Sequence, residues 1–337
     1  MTNNIIIYFI SLITINLLII INLNKIAKAI NLYDLPDNFR KIHQIPTPLI
    51  GGILFFLNIF FFILFFSFFN SSYIFYSFYL TELKPLIYLI ITLTLIFLIG
   101  IYDDKYKMGA LLRLILLSLI LFLYLKTDYT SLLTNINFTF TEKNISLNYG
   151  SNFFTLFCLI VLIISCNMFD GMNMQSFIFY FSNFCFLYFF KSNIFVLTCC
   201  ITLLFFSFLN YRGKIFLGDS GVYLLSTILG ILYIKYYNFN INTLSADAVF
   251  SFLFFPVLDS GRCIFIRLIN GKNPFFGDQL HFHHILLKKI SYKKSLLLIT
   301  IITTLPFFVY ILNITPLLSI LVTLILYLSL LFKYYKK

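Results

Sequence analysis

Gly100-Ile101-Tyr102-Asp103-Asp104-Lys105-Tyr106-Lys107 decides the fold, because two adjacent carboxylates close an apolar run that begins just after Pro85. A bilayer core of roughly 30 Å requires about 20 consecutive apolar residues of a helix, and this run is of that length. Working outward in both directions, runs of about 17–22 apolar residues recur along the whole chain. The 337 residues are 61% hydrophobic and only 11% charged, with a mean hydropathy of +0.96. Such a composition excludes an ordinary soluble globular protein. The expected architecture is all-α: one integral membrane domain over residues 1–337, a polytopic bundle of eleven candidate spans, with its chemistry in short loops. The first span, roughly Asn4 to Asn24, has neither a basic lead-in nor a small-residue cleavage site and is expected to be retained.

The net charge of +12 follows topology. With the first span running inward, nineteen Lys and Arg residues fall on one side and five (Lys84, Lys126, Lys143, Lys191 and Lys235) on the other. That bias places the nineteen in the cytoplasm. No nucleic-acid partner is therefore expected, while anionic lipid and phosphorylated substrates are favoured. Of the six cysteines, Cys158, Cys185, Cys199 and Cys200 lie inside spans, and Cys166 and Cys263 lie at their cytoplasmic ends. No disulfide framework follows. The second span, Ile50 to Asn70, is crowded with Phe and uncharged, and is expected to be lipid-facing bulk. Short alternating pieces between Thr127 and Asn152 predict a small hairpin.

Polar islands interrupt the apolar runs, and each has an ordinary explanation beside a chemical one. Asp103 and Asp104 either oppose Lys105 and Lys107 in a solvated loop or bind a divalent cation through hard oxygens. Arg40, Lys41 and His43, followed by Pro46-Thr47-Pro48 and Gly51-Gly52, form either juxtamembrane charge before a packing pair or a ligand-approach loop. In Asn167-Met168-Phe169-Asp170-Gly171-Met172-Asn173, a helical spacing would set Asn167 with Asp170, and Asp170 with Asn173. These groups suit a metal or a nucleobase, and a polar turn is the plainer alternative. Arg212-Gly213-Lys214 leads to Gly218-Asp219-Ser220-Gly221, where Asp219-Ser220 either caps a helix or offers a metal ligand with basic groups nearby. Asp259 and Arg262 are expected to pair with each other. Three of the chain's four histidines stand together as His281-Phe282-His283-His284, and on a helix His281 and His284 would share a face suited to phosphate binding or proton transfer. A zinc site lacks the companion Cys or Glu spacing there. All these islands fall on the cytoplasmic side, which a shared active site explains.

Taken in order, Arg40-Lys41-Ile42-His43 with Pro48 and Gly51-Gly52, Asp103-Asp104, Asn167 to Asn173, Phe216-Leu217-Gly218-Asp219-Ser220-Gly221 and His281-Phe282-His283-His284 resemble the polyprenyl-phosphate N-acetylhexosamine-1-phosphate transferases. The resemblance leans to the glycan-initiating branch, with the phospho-N-acetylmuramoyl-pentapeptide transferases of peptidoglycan synthesis as the alternative. It implies transfer of an N-acetylhexosamine 1-phosphate, with GlcNAc-1-phosphate the first choice, from a UDP-amino sugar to undecaprenyl phosphate. UMP is released, Mg²⁺ is required with Mn²⁺ as a substitute, and the setting is a bacterial inner membrane. It further implies catalytic roles for Asp103, Asp104, Asp170, His281, His283 and His284, and substrate binding by Arg40, Lys41, His43, Asn167, Asn173 and Arg212. Asp219 and Asp103 would hold the metal. One departure is Asn173-Met174-Gln175, where the family motif continues Asp-Gly-Leu or Asn-Gly-Leu. Oligomeric state is left open, a homodimer included. A secondary transporter is the rival of a different class, but its internal repeat and mid-span charges are not found.

Overall fold

A computed structural model describes residues 2–36, 45–240, 243–275 and 277–335. Arg40, Lys41 and His43 lie outside the described residues. In chain order the elements are α1 (Thr2–Ile21), α2 (Leu23–Ile30), β1 (Tyr33–Asp34), β2 (Thr47–Pro48), α3 (Gly51–Phe69), α4 (Ser72–Ser77), α5 (Leu83–Tyr106) and α6 (Ala110–Leu125). Then follow β3 (Asn135–Phe138), β4 (Thr141–Ser146), α7 (Ser151–Phe169), α8 (Gln175–Phe190), α9 (Ile194–Tyr211) and α10 (Gly218–Phe239). The chain ends through α11 (Ala246–Ile269), α12 (Phe282–Lys289), α13 (Tyr292–Ile311) and α14 (Pro316–Tyr335). Among the described residues, eight helices are long and apolar enough to cross a membrane, and α6 and α8 are apolar but shorter. The protein is an all-α, multi-pass membrane bundle with two small two-stranded sheets.

The helices gather into two compact units. The first comprises Met1–Asp37, His43–Thr130 and Phe184–Ile228. Its interior is built on α3, which packs against α1 and α9. Phe55, Phe62 and Phe66 of α3 are buried, so this helix is core along one face and not only the lipid-facing bulk expected from its composition. Two pairs of buried polar side chains satisfy each other within the apolar layer, where no water is at hand to do so. Asn16 and Asn58 exchange reciprocal amide hydrogen bonds of 2.9 and 3.1 Å, and Tyr8 meets the Thr198 hydroxyl at 2.8 Å. Antiparallel pairing of Tyr33 with Pro48 and Asp34 with Thr47 holds the entry to α3. From there Phe216 N–H donates to Pro48 O at 2.9 Å, and the amides of Gly51 and Gly52 donate to the carbonyls of Phe216 and Leu217 at 3.0 and 2.9 Å.

Among the described residues, the second unit comprises Ser131–Asn183 and the chain from Leu229 onward. Here α11 is central and packs on α7, α13 and α14, while α12 lies against α13 and α14. The expected hairpin is present as β3 and β4, paired antiparallel between Asn135 and Ser146. It is tied to the start of α11, where Thr139 N–H donates to Asp247 Oδ1 at 3.1 Å and the Thr139 hydroxyl donates to Oδ2.

Candidate active site

In the first unit the site begins where α5 ends. Asp103 and Asp104 occupy the last turn of that helix, which stops at Lys107 in the left-handed region with φ 52°. The two carboxylates point to different partners. Asp104 reaches the start of α10: its Oδ1 accepts from Asp219 N–H at 2.7 Å, and its Oδ2 accepts from Ser220 N–H at 3.1 Å and the Ser220 hydroxyl at 2.8 Å. The first amides of a helix have no internal acceptor, and an anion there also meets the positive end of the helix dipole. Asp104 therefore caps α10 from another helix. The cap expected of Asp219-Ser220 is reversed, since both residues lie inside the first turn and receive it.

Close approach makes this possible. A Cβ added at Gly100 would overlap Ser220 Cα, and one at Gly52 would overlap the Ser220 hydroxyl. Gly218 takes φ +74° at the sharp entry to α10, and a side chain there would press on the Asp104 carboxylate.

Asp103 faces the neighbouring helix α6 and the next turn of α10. Its Oδ1 accepts from Met108 N–H at 2.7 Å, and its Oδ2 accepts from the Arg113 guanidinium at 2.8 Å and the Tyr223 hydroxyl at 2.7 Å. Arg113 also donates to Tyr223 at 3.0 Å. Asp219 is near enough to act electrostatically on both Arg113 and Tyr223. Two carboxylates, Asp103 and Asp219, thus act on one guanidinium. Arg113 and Tyr223 were not singled out from sequence as site residues. The available signal was the single charge of Arg113 in an otherwise apolar helix, which positive-inside bias had sufficed to explain. Arg212 lies at the end of α9, exposed, with its guanidinium 4.1 Å from the centre of the Phe208 ring.

In the second unit α7 ends at Phe169, so only Asn167 is helical. Asp170 follows it, with its N–H donating to Cys166 O at 3.0 Å, and the common helical face expected for Asn167, Asp170 and Asn173 stops at the first of them. Asp170 Oδ1 accepts from the Ser176 hydroxyl at 2.5 Å, and Asn173 O accepts from the Tyr292 hydroxyl at 3.1 Å. A Cβ at Gly171 would overlap the His283 imidazole. That glycine is required by contact with the histidine cluster, a reason that its place in a turn did not disclose.

The expected common face of His281 and His284 is likewise altered, because α12 starts at Phe282 and His281 precedes it in extended conformation. The three imidazoles form a succession: His281 and His283 are stacked at 5.7 Å between ring centres, and His283 and His284 lie 4.2 Å apart. All three are buried. Asp259 and Arg262 pair as expected, at 2.8 Å. Arg267 holds Asp278 through two bonds of 2.9 Å. Burial pushes the Asp278 carboxyl up, but the Arg267 guanidinium and the Leu280 amide outweigh it and hold the group below the usual carboxylate range.

Asp259, Cys263 and His281 bring possible ligand atoms within 4.8 Å of one another. Arg262 and Arg267 approach this trio at 2.8 Å from Asp259 and 3.4 Å from His281. Two guanidiniums there oppose a divalent cation. The acidic cluster of the first unit offers hard carboxylate oxygens, the donor type that a divalent cation such as Mg²⁺ would take.

Residues 86–237 match glycosyl transferase family 4. The chain is 26% identical over 293 residues to the undecaprenyl-phosphate alpha-N-acetylglucosaminyl 1-phosphate transferase of Salmonella typhi, covering 82% of this chain and 75% of that protein. Against the protein of the same name from Escherichia coli K12 the identity is 25% over 294 residues, with the same coverage of 82% and 75%. The Thermotoga maritima protein of that name is 32% identical over 87 residues, 26% of this chain and 28% of the relative.

Proposed function

We propose, for a chain whose residues 86–237 match glycosyl transferase family 4, that it transfers N-acetylhexosamine 1-phosphate from a UDP-sugar to undecaprenyl phosphate. GlcNAc-1-phosphate is the first candidate, since the relatives named above carry that sugar in their names. The observation that carries the reading is the docking of Asp104 onto the first turn of α10, which sets Asp219 beside Arg113.

Asp219 is the carboxylate that fits Mg²⁺, and Asp103, assigned to the metal on resemblance, is also bound to Arg113, Tyr223 and Met108. When bound, Mg²⁺ supplies positive charge against the phosphate oxygens of donor and acceptor. The chain's own residues do the rest. Arg113 adds a fixed cation where negative charge gathers, and Asp104 fixes the start of α10 so that Asp219 is preorganised. An oxygen of the lipid phosphate attacks the sugar-linked phosphorus, a new P–O–P linkage forms, and the bond to the UMP oxygen breaks with its electron pair leaving on UMP. A phosphate monoester loses its second proton near pH ~6, so the acceptor is largely dianionic at neutral pH and a strong general base is not demanded. His283 and His284 supply imidazoles for phosphate or sugar oxygens, and Asn167, Asp170 and Asn173 supply amide and carboxylate groups for the nucleoside. The polyprenyl tail requires a membrane-embedded enzyme. The charge bias supports a cytoplasmic face for this chemistry, in a bacterial inner membrane.

The test is a reaction of the detergent-purified chain with undecaprenyl phosphate, Mg²⁺ and a panel of UDP-amino sugars. A lipid-linked product with matched UMP release, lost on chelation and in the absence of lipid phosphate, is expected. Folded protein that yields neither from any donor would overturn the reading and put ion and solute flux next.

A further inference from the structure

The second unit contains a buried polar assembly that the mechanism above leaves unused. Asp259, at 2% exposure, stands just past the middle of α11, and four donors close on it. His281 Nδ1 lies 2.9 Å from Oδ2. Phe282 N–H, the first amide of α12, lies 3.2 and 3.3 Å from the two oxygens. Arg262 and the Tyr327 hydroxyl donate to Oδ1 at 2.8 and 2.7 Å.

The same helix grips the loop before α12 at three more points. Arg262 donates to Leu280 O at 2.6 Å, and Arg267 donates to Pro274 O at 2.8 Å while clamping Asp278. The other nitrogen of His281 settles the proton. Its Nε2 faces the Arg267 guanidinium at 3.4 Å, and a guanidinium has donors only. Nε2 is therefore the acceptor, and Nδ1 carries the hydrogen given to Asp259.

We infer that Asp259 is a positioning residue: it holds His281 as a fixed Nδ1–H strut and caps α12, so His281 orders the histidine loop and exchanges no proton with substrate. The catalytic imidazoles of the motif then narrow to His283 and His284. The inference rests on the transferase reading for its activity test and is independent of it for its structural test. Asparagine distinguishes strut from acid or base, because its amide N–H₂ occupies nearly the place of the imidazole Nδ1–H and can donate to Asp259 but cannot titrate.

Two measurements on the full-length, detergent-purified chain decide the matter. Hydrogen exchange of a peptide containing Phe282–Leu286 reads the cap without substrate. His281→Asn is expected to keep its protection within threefold of the unmodified chain, whereas Asp259→Ala and His281→Ala lose tenfold or more. Wild-type protection in Asp259→Ala would overturn the capping role. Should Asp259→Ala fail to fold, the pair His281→Asn and His281→Ala carries the same comparison, and equal loss of protection in both would contradict the strut. Turnover then separates strut from proton carrier. His281→Asn is expected to retain kcat within about fivefold with an unshifted pH profile. A fall of about 10²–10⁴ with loss of a limb of the profile, the signature of a missing general acid or base, would overturn the inference. If the unmodified chain transfers no sugar phosphate, the transferase reading falls while the exchange data still decide the cap.

Discussion

The acidic end of α5 and the buried Asp259 assembly both place carboxylates against a helix N-terminus, yet they do so in opposite settings. Asp104 caps α10 from a neighbouring helix, and beside it Asp103 and Asp219 share the one guanidinium of Arg113. Asp259 caps α12 under Arg262, with Tyr327 and His281 completing its shell, so that one carboxylate is outnumbered by donors. The first arrangement leaves an excess of negative charge that a divalent cation can relieve; the second is already neutralised. Residue type alone does not separate them, and what surrounds each carboxylate does.

The largest effect expected on this comparison is at Asp219. Asp219→Ala should lower kcat by about 10²–10³ or more while the protein inserts and purifies normally, because charge stabilisation at the reacting phosphates is removed. Near-normal turnover would take Asp219 out of the site. Asp103→Ala should also abolish transfer, through loss of the partner that fixes Arg113 and Tyr223.

Gly171→Ala probes the other unit. The added methyl must displace the His283 ring, and displacement of about 1 Å at a reacting group costs on the order of 10² in rate. Steady-state kinetics should show the loss chiefly in kcat, and an unchanged kcat would place His283 away from the reaction. His284→Ala should likewise impair turnover more than Lys289→Ala, since Lys289 is exposed at the end of α12 and His284 is buried beside His283. The reverse order would sink the assignment of chemistry to this loop.

Asp104→Ala tests the cap as structure. Two backbone amides and a hydroxyl lose their acceptor, which costs about 1–3 kcal/mol for each buried group left unsatisfied. A thermal unfolding midpoint equal to that of the unmodified chain would show that water or another group replaces the carboxylate. The smallest effect concerns Asp278. Its carboxyl is held below the usual range in the folded chain, so its contribution to stability is complete above the unfolded value near ~3.9 and fades as pH falls through the lower folded value. The stability difference between the unmodified chain and Asp278→Asn should therefore narrow on acidification, and a difference that grows instead would reverse the assigned shift.

Much of this was legible in the sequence because lipid is a demanding solvent. Apolar runs gave the helices, and carboxylates at the end of one run marked the turn of α5 that meets α10. Contacts between distant segments were not legible. Nothing in the local pattern tells that Asp104 caps a helix beginning 114 positions later at Gly218, or that Gly171 yields space to His283. Helix boundaries also escaped: Asp170 and His281 lie just outside the helices assigned to them, and one residue of shift changes which side chains share a face. The core face of α3 was hidden for a different reason. Where nearly every residue is apolar, periodicity cannot separate lipid from protein, and of the two polar side chains of α3, Asn58 is buried and Ser67 exposed.

If the enzyme transfers a sugar together with its phosphate, the donor's β-phosphorus must travel with the sugar. With a UDP-amino sugar labelled at that phosphorus, undecaprenyl phosphate and Mg²⁺, the account predicts that the label enters the lipid fraction as unlabelled UMP appears in equal amount. Sugar reaching the lipid while the labelled phosphorus stays with the water-soluble nucleotide would contradict it.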